Sequence, residues 1–181
     1  STLKGDYHIE SRRLGARNLD PNKYLKDAQL LEQGLIQEPN NSRYMFYLGQ
    51  SYFDAKQYES ALKAYIQRGT VQGYPEERFY ALYRAGQCLI HLNRPADQII
   101  EILLKAYHVQ PTRGESLHAL LRYCRETGKY YLGYMIGKFA QHIPFPSQDK
   151  LFVEPDVYKY KILDEFSICA YWVGKYQDSL N

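Results

Sequence analysis

Apolar residues recur at intervals of three and four positions along the chain, and no stretch shows the period of two that marks a half-buried strand. Tyr58, Ala61 and Tyr65 are one example of this spacing. Intervals of three and four place side chains on one face of an α-helix. The pattern therefore predicts an all-α protein built from amphipathic helices.

Prolines, glycines and capping residues divide this pattern into separate helices. Asp20-Pro21 places a capping carboxylate before a proline at a first helical position, so a helix is predicted from there to about residue 37. Further helices are predicted over 42–55 and 58–68, with Gly69 ending the second of these. Three later helix pairs are predicted to begin near Pro75, Pro111 and Pro155, and to turn near Arg94-Pro95, Gly128 and Gly174.

A short string repeats where the helix pairs turn. Lys56-Gln57-Tyr58, Gly128-Lys129-Tyr130 and Gly174-Lys175-Tyr176 match one another, and Asn93-Arg94-Pro95 occupies the same slot in a further copy. Tyr58 and Tyr130 are 72 positions apart, which is two units of 36. A period of this length indicates a repeat protein in which similar helical hairpins stack on one another.

The best copy of the repeat has the string Leu48-Gly49-x-x-Tyr52, followed by Tyr58, Ala61 and Tyr65. This order of residues resembles the tetratricopeptide repeat. Gly49 and Ala61 would let two antiparallel helices approach closely, while Tyr52 and Tyr65 would fill the gap. The resemblance implies an all-α, tetratricopeptide-like right-handed solenoid of antiparallel helix hairpins, and an ordinary helical bundle is the alternative fold.

Composition and charge give no indication of a nucleic-acid or membrane partner. The 23 basic and 20 acidic residues leave a net charge of +3, and no apolar run approaches the roughly 20 residues that span a bilayer. The odd number of cysteines, three, favours reduced thiols over a disulfide framework. We therefore expect a cytoplasmic protein that binds neither nucleic acid nor membrane.

Catalytic motifs are missing from the sequence: it contains no phosphate-binding glycine loop, nucleophile elbow or metal-binding histidine pair. Cys88, Cys124 and Cys169 fall at nearly the same place in the first helices of their hairpins, which is typical of small core residues. Gly133-x-x-x-Gly137 is expected to give close packing within a hairpin. The sequence thus predicts no catalytic residue, no metal ligand and no cofactor in this chain.

The first helix of each hairpin is expected to line the concave side of the solenoid. A helical projection from Gly49, Gly86 and Leu121 points a mixed aromatic and polar set inward, and such a surface suits recognition of a protein or peptide. For any single tyrosine, a role as filler between helices is the more common one. The predicted groove residues are Phe46, Gln50, Phe53, Asp54, Tyr83, Gln87, His91, His118, Arg122 and Arg125.

A second resemblance covers nearly the whole chain. The run Gly15-Ala16-Arg17-Asn18-x-Asp20-Pro21-x-Lys23-Tyr24 resembles the junction that links the catalytic domain to the repeats in family 2 glycosyltransferases with a tetratricopeptide tail. Further strings in the same order also resemble that tail: Phe46-Tyr47-Leu48, Ala81-Leu82-Tyr83-Arg84, Pro111-Thr112-Arg113, Leu151-Phe152-Val153-Glu154 and Ala170-Tyr171-Trp172-Val173-Gly174.

This resemblance implies that residues 1–19 are a linker from an upstream catalytic domain, and that residues 20–181 are a repeat domain truncated at its C-terminal end. The parent enzyme would use a nucleotide-sugar and a divalent metal held by an Asp-x-Asp string, which this chain lacks. The repeats would position a glycan acceptor or form a homo-oligomer. His8, Arg12, Arg13 and Arg17 would lie near the junction and either reach a phosphate or form a solvated linker. A free-standing peptide-binding adaptor is the alternative function.

Overall fold

The computed structural model describes residues 22–179, which are helical and contain no strand. The predicted linker 1–19, its basic cluster and the Asp20-Pro21 cap lie outside the described residues. The helices, in chain order, are α1 Lys23–Gln37, α2 Ser42–Asp54, α3 Tyr58–Thr70, α4 Pro75–His91, α5 Ala96–Val109, α6 Glu115–Glu126, α7 Tyr130–Ala140, a π-helical turn Val157–Lys161, α8 Ile162–Trp172 and α9 Tyr176–Ser179.

The helices form successive antiparallel hairpins, α2 with α3, α4 with α5, α6 with α7 and α8 with α9, while α1 packs on α2. Each second helix also packs on the first helix of the next hairpin. The first helices α2, α4, α6 and α8 touch one another in turn, and the second helices make no comparable contacts with one another in the described part of the chain. The first helices therefore form the inner, concave layer of a solenoid, as predicted.

The repeated turn string has a common backbone conformation. Lys56, Asn93, Gly128 and Gly174 all adopt a left-handed φ, of 58°, 50°, 70° and 75°. One left-handed residue after a helix reverses the chain direction and satisfies the last carbonyls, and glycine adopts it without strain. Each copy of the string begins with this residue, so the repeat seen in the sequence is a repeat of hairpin turns.

Close approach of helices depends on glycines that face large side chains. A Cβ on Gly49 would lie 2.6 Å from the ring of Tyr65 across the α2–α3 hairpin, and a Cβ on Gly86 would lie 2.3 Å from Leu103 across the α4–α5 hairpin. The predicted contact between Gly49 and Tyr65 is confirmed. Tyr52 lies elsewhere: its hydroxyl donates a hydrogen bond to Glu32 of α1, so it joins α2 to the preceding helix instead of filling the gap at Gly49.

Two other glycines have roles beyond those predicted. Gly69 does not end α3, which continues to Thr70. The missing side chain at Gly69 instead makes room for Leu82 of the next hairpin. A Cβ on Gly133 would lie 3.2 Å from Cβ of Cys124 within its own hairpin, as predicted, but also 2.6 Å from Sγ of Cys169 on α8. Both glycines thus permit contact between neighbouring hairpins, which the local sequence pattern does not distinguish from contact within one.

The predicted start of the third hairpin at Pro111 is also displaced, because α6 begins only at Glu115. Arg113 is fully buried in the turn before the helix and bonds with the carboxylate of Glu115. This pair holds a segment after α7, residues 149–154, which we call the strap. The strap connects α7 to the π-helical turn, and it contacts Phe46 of α2 and Glu76 of α4.

Candidate functional site

A groove of about 800 Å³ opens on the concave side of the solenoid. It is lined by residues of α2, α4, α6, the strap, the π-helical turn and α8, so every first helix contributes to it. Six of the ten predicted groove residues line it: Phe53, Tyr83, Gln87, His91, His118 and Arg122.

The other four predicted residues lie outside this groove. Phe46 is buried in the core, with its ring stacked 6.3 Å from that of Phe152 in the strap. The strap thereby covers the early turns of α2 and leaves only its last turn at the groove. Gln50 and Asp54 do not line it, and Arg125 instead forms an ion pair with Glu165 on α8.

Several groove residues were not predicted from the sequence. Arg84 is three positions before Gln87 and seven before His91, so the helical period could have identified it. Glu154, Lys161 and Glu165 come from the strap, the π-helical turn and α8, and they reach the groove only because the chain folds back over the first helices. No local signal in the sequence marks that return.

The strap is held through its backbone by buried side chains. Glu76 accepts hydrogen bonds from the N–H groups of Lys150, at 2.8 Å, and Leu151, at 2.6 Å. Arg113 donates to the carbonyl oxygens of Leu151 and Phe152, each at 3.2 Å. Because buried charged groups that are fully hydrogen-bonded hold their partners firmly, these contacts fix the strap as one wall of the groove.

A chain of hydrogen bonds runs across the groove from Arg84 to Glu154. The Nη1 atom of Arg84 donates to Oε1 of Gln87 at 2.8 Å, and Nε2 of Gln87 donates to the hydroxyl of Tyr83 at 2.8 Å. The Tyr83 hydroxyl donates to Oε1 of Glu154 at 2.9 Å. Burial, followed by the negative charge of Glu154, raises the pKa of Tyr83 well above its ordinary value, so this phenol stays protonated as a donor.

Arg84 forms the floor of the groove. Its guanidinium carbon lies 3.5 Å from the centre of the Phe53 ring, which is a stacked cation–π contact. Its Nε atom is buried without a hydrogen bond of good geometry. The hydroxyl of neighbouring Tyr65 is also buried without a hydrogen bond of good geometry. Burial, and then the charge of Arg84, lower the pKa of His91. The positive charge of Arg84 therefore disfavours a second positive charge at His91 on the same side of the groove.

The second histidine of the groove, His118, is buried between α6 and the π-helical turn. Burial, then the charges of Lys161 and Arg122, lower its pKa to about 4. It is neutral at pH 7 and can accept or donate a hydrogen bond without carrying charge. The cations around it are paired: Arg122 with Glu126 at 2.8 Å and Lys161 with Glu154 at 3.9 Å.

A thiol nucleophile, a metal site or a membrane span would each require particular features of the described residues. Cys88, the cysteine nearest to Arg84, is fully buried, and burial raises its thiol pKa to about 12. Within residues 22–179 no group of three or more histidine, cysteine or acidic side chains is arranged to hold a metal ion. Over the same residues no helix is both long and apolar enough to cross a bilayer. Stacking, hydrogen bonding and ion pairing are the interactions that the groove side chains offer.

The fold and the groove define a class of protein: an all-α, right-handed solenoid of the tetratricopeptide type, as predicted. Residues 26–78, from α1 into the start of α4, match the family model described as tetratricopeptide repeat. A comparison with curated proteins gives no match.

Solved structures show the same architecture. A crystal structure of MamA has a TM-score of 0.68, with 13% identity over 94% of this chain and 91% of that chain. A second MamA structure has a TM-score of 0.66, with 12% identity over 88% and 78% of the two chains. A Podosopora anserina protein with nearly identical TPR-like repeats has a TM-score of 0.61, with 15% identity over 88% and 83%. At these identities the likeness is one of fold.

Proposed function

We propose that this chain is a protein-binding scaffold that holds an extended peptide segment of a partner in its concave groove. The observation that carries the proposal is the groove itself, about 800 Å³ in volume and lined by every first helix of the solenoid. Volumes of this size accommodate several peptide side chains, and helical solenoids present their inner faces as extended binding surfaces.

The chemistry of the lining supports a peptide ligand. Phe53 and Tyr123 offer aromatic surface that costs little conformational entropy on binding, while Gln87 and His118 offer neutral hydrogen-bonding groups. The hydrogen-bonded chain from Arg84 to Glu154 orders these side chains before a ligand arrives. Such preorganisation reduces the entropy lost on binding.

The experiment is a selection of 12-residue random peptides, displayed on phage, against the immobilised 181-residue chain. Enriched peptides are then measured against the groove variant Arg122→Glu, in which the exposed end of α6 changes charge, and against Arg94→Glu as a control outside the groove. We expect Arg122→Glu to weaken binding at least tenfold and Arg94→Glu to leave it unchanged. The absence of binders, or binders equally tolerant of both substitutions, would refute the proposal.

The glycosyltransferase-tail function remains a prediction from the sequence strings. Two of these strings, Pro111-Thr112-Arg113 and Leu151-Phe152-Val153-Glu154, form the contact between Arg113 and the strap, so the fold gives them a structural role. The following are also proposals from the sequence: an upstream catalytic domain, a glycan acceptor, homo-oligomer formation and a cytoplasmic location. The expected absences of a cofactor and of a nucleic-acid or membrane partner are proposals as well. Sequencing the gene upstream of Ser1 for a domain with an Asp-x-Asp string tests the enzymatic parentage.

A further inference from the structure

The groove contains one cation that no carboxylate neutralises. Arg122 and Lys161 pair with Glu126 and Glu154, whereas Arg84 forms no ion pair with any of the described residues. Its direct polar partner in the groove is the neutral side-chain oxygen of Gln87. Arg84 is thus linked to the carboxylate of Glu154 only through the neutral groups of Gln87 and Tyr83.

This arrangement is unfavourable for a partly buried guanidinium. Arg84 stacks on Phe53, its buried Nε atom has no acceptor of good geometry, and the further polar neighbour of the guanidinium is the uncharged hydroxyl of Tyr65. An ionised group that loses water needs an opposite charge or a full set of hydrogen bonds in exchange. Arg43 also lies over an aromatic ring, 5.6 Å from the centre of Tyr47, but it is exposed, so water can solvate it. The position of Arg84 therefore favours the arrival of an anion in the groove.

The charges of the groove also indicate what kind of anion fits. Three cations, Arg84, Arg122 and Lys161, face four carboxylates, which are those of Glu126, Glu154, Asp164 and Glu165. A phosphate carries nearly two negative charges at pH 7, so these acidic residues would repel it more strongly than they repel a singly charged carboxylate. A carboxylate carries one charge and matches the planar donor groups of a guanidinium.

We propose that the ligand of the groove is a peptide with an acidic side chain, and that its carboxylate binds the Arg84 guanidinium beside Phe53. This inference rests on the proposed peptide-binding function and names the residue type that the peptide must carry. Apolar neighbours of that acidic residue would contact Tyr123 and Ile90.

The test uses peptides enriched from the random library on the full chain. Each is synthesised with its glutamate or aspartate intact, with the isosteric amide (Glu→Gln or Asp→Asn), and with phosphoserine in the same place. Affinities are measured for the native chain, for Arg84→Met, which keeps the packing on Phe53, and for Arg43→Met as the matched control. Circular dichroism and the thermal midpoint establish that each variant is folded.

We expect the amide peptide to bind the native chain about tenfold more weakly than the acidic peptide, because a hydrogen bond to a charged group contributes more binding free energy than one to a neutral group. The same change in the peptide should have no effect on binding to Arg84→Met, and Arg43→Met should behave as the native chain does. The comparison of acid and amide peptides on the native chain gives a result even if Arg84→Met does not fold.

Three results would overturn the inference. Peptides that bind the groove but lack acidic residues would overturn the inference and leave the proposed function intact. An amide substitution that weakens binding equally to the native chain and to Arg84→Met would have the same meaning. Tighter binding of the phosphoserine peptide would contradict the choice of a carboxylate. If no peptide binds the groove at all, the proposed function fails and this inference fails with it.

Discussion

Arg113 and Glu115, both fully buried, form an ion pair in which Nε of the guanidinium lies 2.9 Å from Oε2 and Nη2 lies 2.9 Å from Oε1 of the carboxylate. Glu115 also accepts hydrogen bonds from the backbone N–H of Glu154, at 3.1 Å, and from the hydroxyl of Tyr158, at 2.7 Å. One buried pair thus joins the third hairpin, the strap and the π-helical turn, and it places Glu154 at the wall of the groove.

Removing one charge of this pair should be costly. Glu115→Gln keeps the shape but leaves the buried Arg113 with only the more distant carboxylate of Asp149, at 3.8 Å, so we expect the free energy of unfolding to fall by about 3 kcal/mol. Glu59→Gln is the matched control, because Glu59 pairs with Arg94 in an exposed ion pair that contributes about 1 kcal/mol or less. Urea unfolding followed by circular dichroism measures both. Equal losses in the two variants would show that the buried pair has no special role.

A second prediction concerns the contact between Gly49 and Tyr65. Gly49→Ala should destabilise the protein by about 1 to 3 kcal/mol, because the new methyl group would lie 2.6 Å from a fully buried ring. In the background Tyr65→Leu the same substitution should be neutral or stabilising, since alanine is the better helix former by about 1 kcal/mol once the clash is removed. Thermal unfolding of the four proteins measures the coupling, and additive effects would contradict the packing described here.

Much of the repeat could be predicted because its signals are local. Each signal involves residues that lie within about one repeat of each other, such as Gly49 and Tyr65. The signals are the left-handed turn residue, the glycine at the close approach of two helices, and the apolar spacing of three and four. The same locality explains why six predicted groove residues lie together on successive first helices.

The strap accounts for most of what the sequence did not reveal. Phe152 covers Phe46 from 106 positions away, and Glu154 enters the groove only because Arg113 and Glu76 bind the strap backbone. Backbone recognition depends little on the side chains of the recognised segment, so it leaves a weak trace in sequence. Arg84 is a different case: it lies on the predicted face of α4, but only the structure shows that no described carboxylate pairs with its charge.

A third prediction concerns the three thiols. Cys88, Cys124 and Cys169 are fully buried, and burial raises their pKa values to about 12, 11 and 11. Because the thiolate is the reactive form, Ellman's reagent at pH 8 should modify none of them in the native protein and all three in urea. Lys63→Cys, at an exposed position of α3, should react at once and serves as the control. Rapid modification of a native cysteine would contradict the packing of its helix.

The last prediction concerns the stability of the protein at mildly acidic pH. His118 has a folded-state pKa of about 4, below its ordinary value of 6.5, so between these values the unfolded chain binds the proton more readily. The folded state is therefore destabilised as the pH falls from about 6.5 toward 4. Above about pH 6.5 His118 is neutral in both states, so this loss of stability is absent there. Between pH 7.5 and pH 5.5 we expect a loss of about 1 kcal/mol from this one group.

His118→Gln should reduce that loss, because glutamine keeps a hydrogen-bonding group but does not titrate. Some pH dependence should remain, since the pKa of His91 is lowered in the same direction by burial and by Arg84. Urea unfolding at pH 7.5, 6.5 and 5.5 measures the slope, with the exposed His108→Gln as the control on the outer helix α5. A native protein equally stable at the three values, or a slope unchanged by His118→Gln, would show that His118 is not held neutral between Lys161 and Arg122.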